Sequence, residues 1–180
     1  MKTSEIIITR FSGVRSTKPK MVTTLKRVLD EIQDGTYQTQ IEACHEDLSK
    51  KDKLPVFTPT GKFSYRSMAG LEKYNGIICL DIDHVENPID LKESTKNIPW
   101  VTASFITPSS KGLKVIIQTD ATPEDYKQVE LEVSSKFEEI TGFARDNRCK
   151  DIARIQFVSH DPELYINEKA EIFSKQLISA

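Results

Sequence analysis

Cysteine is scarce in this sequence. Its 180 residues contain three, Cys44, Cys79 and Cys149, none in C-x-x-C spacing. The odd count and wide separation exclude a disulfide framework or a zinc site, and the apolar setting of Cys79 predicts buried thiols in a reducing compartment. Long apolar runs are missing too. Nothing approaches the roughly 18 residues of a membrane span, and the start, Met1-Lys2-Thr3-Ser4-Glu5 before only three isoleucines, has no signal-peptide pattern, so a cytoplasmic protein with no membrane partner is expected. Nor is there an excess of one charge: 25 Lys and Arg face 27 Asp and Glu, a net charge of -2. That excludes a protein that coats nucleic acid through global basicity and leaves only a local patch for such contact. Aromatic residues make up 8%. Phe105 and Phe157 alone lie near the polar motifs and read as core, which argues against a base-stacking platform of the ordinary RNA-recognition kind. Repeats and low-complexity segments are absent.

What remains is an ordinary globular composition, 38% hydrophobic and 29% charged. A single domain over residues 1–180 is expected, long enough to bury close to about 70% of its unfolded surface. Residues 5–11 read as a strand, followed by a polar turn over 12–20 that carries Arg15, Lys18 and Lys20. Val22, Leu25, Leu29 and Ile32 recur at helical spacing up to Gly35, and Tyr37, Ile41, Cys44 and Leu48 repeat the pattern in a second helix. His45 on that helix reads as an exposed polar residue without metal-ligand spacing around it. Lys50, Lys51 and Lys53 read as a solvated helix terminus whose cations suit the dipole. Short strands are expected over 54–58 and 63–66.

The most informative stretch runs from Gly76 to Asp83, Gly-Ile-Ile-Cys-Leu-Asp-Ile-Asp. A strand alternates faces with period two, so Asp81 and Asp83 share one face while Ile78, Leu80 and Ile82 form an apolar row on the other. Two adjacent carboxylates repel by roughly 4 kcal/mol at about 4 Å in an effective dielectric of about 20. The pair therefore requires a divalent cation, a proton or a basic neighbour. Magnesium or manganese, which prefer carboxylate oxygens and also take phosphates, suit it.

Downstream, the sequence predicts a short helix over 88–96, strands over 100–107 and 113–119, a long helix and a last strand over 152–159. The long helix has Thr122 as N-cap, Pro123 at its first position, and a buried stripe of Tyr126, Val129, Val133, Phe137 and Ile140 before Gly142. The order β-α-β-β-α-β is that of an RNA-recognition-motif-like, ferredoxin-like lobe over 76–180, an α+β fold packed against an N-terminal αβ lobe over 1–75. In that topology the third strand lies between the first two and the fourth flanks the first. Asp81 and Asp83, the segment 109–114 and the segment 146–154 then converge at one end of the sheet. Lys114 alternates with Leu113 and Val115 and so points to the aspartate face.

Two acids on one strand, a third from a neighbour and basic residues beside them are the parts of two-metal phosphoryl transfer, in which metals about 4 Å apart clamp the attacking and leaving oxygens. The third acid is Asp151 or Asp146, with Asp151 preferred because it starts the last strand. The turn Pro108-Ser109-Ser110-Lys111-Gly112 offers hydroxyls, N–H groups and a cation to a triphosphate, with Gly112 permitting close approach. It lacks the spacing of a Walker loop. Arg154 could hold a phosphate bidentately or pair with an acid.

The series Leu80-Asp81-Ile82-Asp83, then Ser-Ser-Lys-Gly-Leu-Lys at 109–114, then Asp-Ile-Ala-Arg-Ile-Gln-Phe-Val-Ser-His-Asp-Pro at 151–162, resembles the three motifs of the archaeo-eukaryotic primase superfamily, the primase-polymerases. More closely it resembles the N-terminal domain of virulence-associated E proteins and related phage and Bacteroides mobile-element proteins. The likeness extends to Lys53-Leu54-Pro55, Thr60-Gly61-Lys62-Phe63 and Tyr165-Ile166-Asn167, and so covers nearly the whole chain. The resemblance implies a DNA replication nucleotidyltransferase with Asp81, Asp83 and Asp151 as catalytic metal ligands for Mg2+ or Mn2+. It implies that Ser109, Ser110, Lys111, Gly112, Lys114, Arg154 and Ser159 bind nucleotide. The implied partners are a nucleoside triphosphate, a DNA or RNA template and a replicative helicase. Where active primases carry a second-motif histidine this sequence has Lys114, a flexible ammonium in place of a directed imidazole donor. His84 and His160 do not match that position. The alternative expectation is a catalytically inactive primase-like module that binds nucleotide or nucleic acid. The chain carries no helicase region, so it is expected to be a stand-alone domain or a fragment.

Overall fold

The computed structural model describes residues 2–146 and 151–174. The elements run β1 (Ile7–Phe11), β2 (Met21–Thr24), α1 (Leu25–Gln33), α2 (Gln38–Glu46), β3 (Val56–Thr58), β4 (Gly61–Phe63), β5 (Leu71–Tyr74) and β6 (Ile77–Asp83). They continue with α3 (Pro88–Thr95), β7 (Val101–Ile106), β8 (Gly112–Gln118), α4 (Tyr126–Thr141), β9 (Gln156–Phe157) and β10 (Tyr165–Ile166). The protein is a mixed α+β fold with antiparallel sheets. One has the order β2-β1-β3-β9, the other β10-β7-β8-β6, and β4 pairs with β5 in a hairpin.

The second sheet is buried on both faces. Ile78, Leu80 and Ile82 of β6, with Leu113, Val115 and Ile117 of β8, pack beneath α3 and α4, where Leu91, Val129, Val133 and Phe137 meet them. The opposite row, Ile77 and Cys79 with Ala103, Phe105 and Ile116, packs on the first lobe against Ile8, Leu29 and Phe57. Phe105 is therefore core. The apolar row of the aspartate strand faces the helices as its periodicity predicts, and the third strand of the lobe, β8, lies between β6 and β7 as expected.

Several expectations are corrected. Val22 belongs to strand β2 and is exposed, because residues 21–24 pair with β1 before α1 begins, with Thr24 accepting the Arg27 N–H as N-cap. The second helix stops at Glu46, and Leu48, outside it, is exposed. Residues 63–66 are strand only to Phe63, and the partner strand β5 had no clear alternation to reveal it. The long helix starts at Tyr126 with Asp125 at its cap, and the Asp125 carboxylate accepts the Thr122 N–H at 2.7 Å. Ile140 is exposed, while Gly142 ends the helix at φ 77°. The largest change concerns the last strand, which shrinks to β9 and pairs with β3 in the first sheet instead of flanking β6.

A buried polar network joins the elements of the first lobe. Arg10 of β1 holds Glu31 of α1 at 2.6 Å and also donates to the Tyr37 hydroxyl, which in turn donates to Glu31 at 2.5 Å. Burial, reinforced by the bond to Glu31, pushes the Tyr37 hydroxyl up to about 12. The phenol thus remains a donor throughout the physiological range. No helix among the described residues is long and apolar enough to cross a membrane.

Candidate functional site

The site arises where burial along β6 runs out. Ile77 and Cys79 are covered by the first lobe, but two residues further on Asp81 is half-buried, and Asp83 is exposed. Both face a cavity of about 470 Å³ at the seam between the two sheets. Asp146, Lys114 and Arg154 line the same cavity, together with Lys51 from the first lobe. Its apolar wall is Val14, Pro108, Ile155 and Phe157.

Register sets the first polar contact. Asp81 lies directly opposite Lys114, and Asp83 opposite Gly112. Lys114 forms an ion pair with the Asp81 carboxylate, both side chains being largely buried at 5% and 14% exposure. The basic neighbour that the acid pair demands is therefore a residue of the adjacent strand. Gly112 is required by this pairing: a Cβ there would lie 2.5 Å from the Ile82 carbonyl oxygen and 3.3 Å from Asp83 Oδ1. Gly112→Ala is expected to cost about 1–3 kcal/mol by forcing the two strands apart beside Asp83, measurable by urea denaturation.

The two candidates for the third acid line different cavities. Asp151 does not reach the cavity. It borders a separate pocket beside Tyr126, its carboxylate accepts the Ala153 N–H at 2.9 Å, and its carbonyl accepts that of Arg154 at 2.9 Å. Because β9 joins the other sheet, the edge of β6 is met instead by Asp146, whose N–H donates to the Asp81 carbonyl at 2.8 Å. Arg145, buried and paired with Glu130 of α4 at 2.5 Å, fixes that approach. Asp146, the second choice from sequence, is thus the acid that shares the cavity with Asp81 and Asp83.

The other residues expected to bind nucleotide divide into three groups. Arg154 and Lys114 line the cavity. Ser109, Ser110 and Lys111 occupy the turn that follows its wall at Thr107 and Pro108; Ser110 adopts φ 56°, and the Lys111 carbonyl accepts the Val85 N–H at 3.0 Å. Ser159 is placed elsewhere: its hydroxyl is buried and donates to the Ile106 carbonyl at 2.6 Å, locking the end of β7. Nearby, Asp161 accepts from Lys92 of α3 at 2.7 and 2.8 Å and from the Ile106 N–H at 2.9 Å.

Two residues, Lys51 and Phe157, were misjudged from sequence, and a third, His45, is exposed as expected but makes contacts that the sequence did not signal. His45 Nε2 lies 2.9 Å from the Pro108 carbonyl and 3.1 Å from Ser110 Oγ, so α2 steadies the turn; the carbonyl can only accept, which puts a proton on Nε2. Lys51 belongs to a short 3-10 helix, Leu48–Lys53, and its ammonium sits 4.9 Å above the Phe157 ring. Phe157, read as core, is a partly exposed wall of the cavity. The run of lysines was the available signal for Lys51, but only the fold shows which cavity they face.

The donor set limits what metal could bind. Among the described residues, no three His, Cys, Asp or Glu side chains converge closely enough to hold an ion between them. A cage made by protein alone does not fit, and Lys114 already neutralises Asp81. A hydrated magnesium or manganese ion fits better, since such ions keep several waters and need only one or two carboxylates when phosphates supply further oxygens. No curated protein and no solved structure matches the chain. A family model does match, over residues 49–166, a span that takes in β6, the turn at 109–112, Asp146 and Arg154. The chain belongs to the family described as BT4734-like, N-terminal domain.

Proposed function

We propose that this domain is a metal-dependent, primase-polymerase-like nucleotidyltransferase of a mobile-element or phage replication protein, binding a nucleoside triphosphate and nucleic acid. The observation that carries the reading is the shared cavity: Asp81, Asp83 and Asp146 at one end, and Arg154 and Lys51 as cations in the same space. The resemblance of the three motifs to the primase superfamily supports it, as does the position of β8 between β6 and β7.

On this reading Asp83 and Asp81 hold Mg2+ or Mn2+ that arrives with the triphosphate, and Asp146 stands beside them as the third acid. When bound, the metal would neutralise charge on the phosphates during phosphoryl transfer. Arg154 presents a planar fork to phosphate oxygens and Lys51 a point charge. Lys114 holds the Asp81 carboxylate in place, and phosphate oxygens entering the cavity meet its ammonium as well.

That ion pair also favours a second reading. A buried ammonium on the first acid competes with a metal for the same carboxylate, which suits a module that binds nucleotide or nucleic acid without catalysis. Extension of a labelled primer on a template with manganese and nucleoside triphosphates separates the two. Incorporation lost in Asp83→Asn supports the enzyme. Metal-dependent nucleotide binding with no incorporation by the wild type supports the binding module and removes the catalytic assignment.

A further inference from the structure

We infer that the first lobe carries a track for the phosphate backbone of single-stranded nucleic acid, leading to the acid pair. The inference rests on the reading of the neighbouring cavity as a nucleotide site, which gives the track its direction.

A second cavity, of about 530 Å³, lies between the loop after β1 and the 3-10 helix Leu48–Lys53. Arg15, Ser16, Ser49, Asp52 and Lys53 line it, and Val14 is common to this cavity and the acidic one. The two walls touch near Gly13, where a Cβ would lie 3.3 Å from the Asp52 carbonyl oxygen. The Thr17 carbonyl accepts the Arg66 N–H at 2.9 Å, which anchors the far end of the loop.

Charge is segregated along this path. The loop contributes Arg15, Lys18 and Lys20 with no acid, and the 3-10 helix contributes Lys50, Lys51 and Lys53 against Asp52 alone. The chain as a whole has more acids than bases, so six cations in these two segments against Asp52 and the capping Asp47 make a local basic excess of the kind that attracts a polyanion. Arg15, Lys18, Lys20 and Lys53 are exposed, and among the described residues none of the four forms an ion pair. Hydroxyls of Ser16 and Ser49 interleave with them. A concave, hydroxyl-lined groove that opens into an acidic cavity suits a strand of phosphates better than a flat anionic membrane, which would be met by exposed apolar side chains. Lys51 stands at the junction, over the Phe157 ring.

The test is fluorescence anisotropy of a labelled oligothymidylate between low and moderate salt, without metal, beside calorimetry of manganese and a nucleoside triphosphate on the same proteins. Arg15→Glu with Lys53→Glu should weaken oligonucleotide binding at least about tenfold and flatten the salt dependence by about 1.4 in log-log slope, about 0.7 per lost phosphate contact. Nucleotide binding should stay at the wild-type level. Lys127→Glu with Lys136→Glu, charge reversals of the same size on α4, should leave both unchanged. Equal loss from the α4 reversals, unchanged affinity in Arg15→Glu with Lys53→Glu, or wild-type binding to anionic vesicles but not to the oligonucleotide would each overturn the track. Oligonucleotide binding lost on this face in a protein that never binds nucleotide would uphold the track and sink the nucleotide-site reading.

Discussion

Asp83→Asn is expected to weaken manganese-dependent nucleoside-triphosphate binding by about a hundredfold, the effect of removing a carboxylate worth several kcal/mol to a metal-bound polyphosphate. Stability should stay within about 0.5 kcal/mol of wild type, because the side chain is exposed. Asp81→Asn should behave differently although it is two residues away on the same face. It leaves the Lys114 ammonium, 5% exposed, without its counter-charge. Breaking a buried pair from one side costs about 3–5 kcal/mol. A loss of binding in Asp81→Asn alone would therefore confound site and fold. Calorimetry for binding and urea denaturation for stability, run on both variants, separates the two, and a nucleotide affinity unchanged in Asp83→Asn would remove Asp83 from the site.

Asp161→Asn should likewise cost about 3–5 kcal/mol of stability, a fall in Tm of about 10 °C. Asparagine keeps the shape and one acceptor, which serves the Ile106 N–H or the Glu163 N–H but not both, so the loss combines the charge with one backbone hydrogen bond. The lysine it abandons, Lys92, is 3% exposed. Adding Lys92→Met should restore most of the stability, since an apolar side chain of similar length replaces a buried cation. A single variant that melts with the wild type would show that the pair contributes little. The prediction matters for the site because Asp161 and Ser159 together hold Ile106, the last residue of β7, just before the turn that walls the cavity.

The parts of this site legible in the sequence were those governed by strand alternation. Period two put Asp81 and Asp83 on one face, turned Ile78, Leu80 and Ile82 toward the helices, and aimed Lys114 at the acids; the register between β6 and β8 supplies the rest. Alternation could not say which sheet a strand joins. Residues 152–159 read as an eight-residue strand, yet only Gln156 and Phe157 pair, and with β3. That misplacement carried Asp151 toward the acids, while the preceding segment, tied down by the buried Arg145–Glu130 pair, delivers Asp146. Cys149 and the rest of 147–150 lie outside the described residues. The contributions of the first lobe were equally hidden. Lys51 and His45 act across a seam between residues far apart in sequence, and local pattern carries no information about such contacts.

The most direct test is a calorimetric titration of nucleoside triphosphate into the wild-type protein with and without manganese. The account predicts binding in the presence of the metal, little without it, and weak affinity for manganese alone, since Lys114 neutralises Asp81 and no three ligands converge among the described residues. Absence of nucleotide binding at millimolar concentration with manganese present, or equal binding without it, would contradict the assignment of this cavity as a metal-dependent nucleotide site.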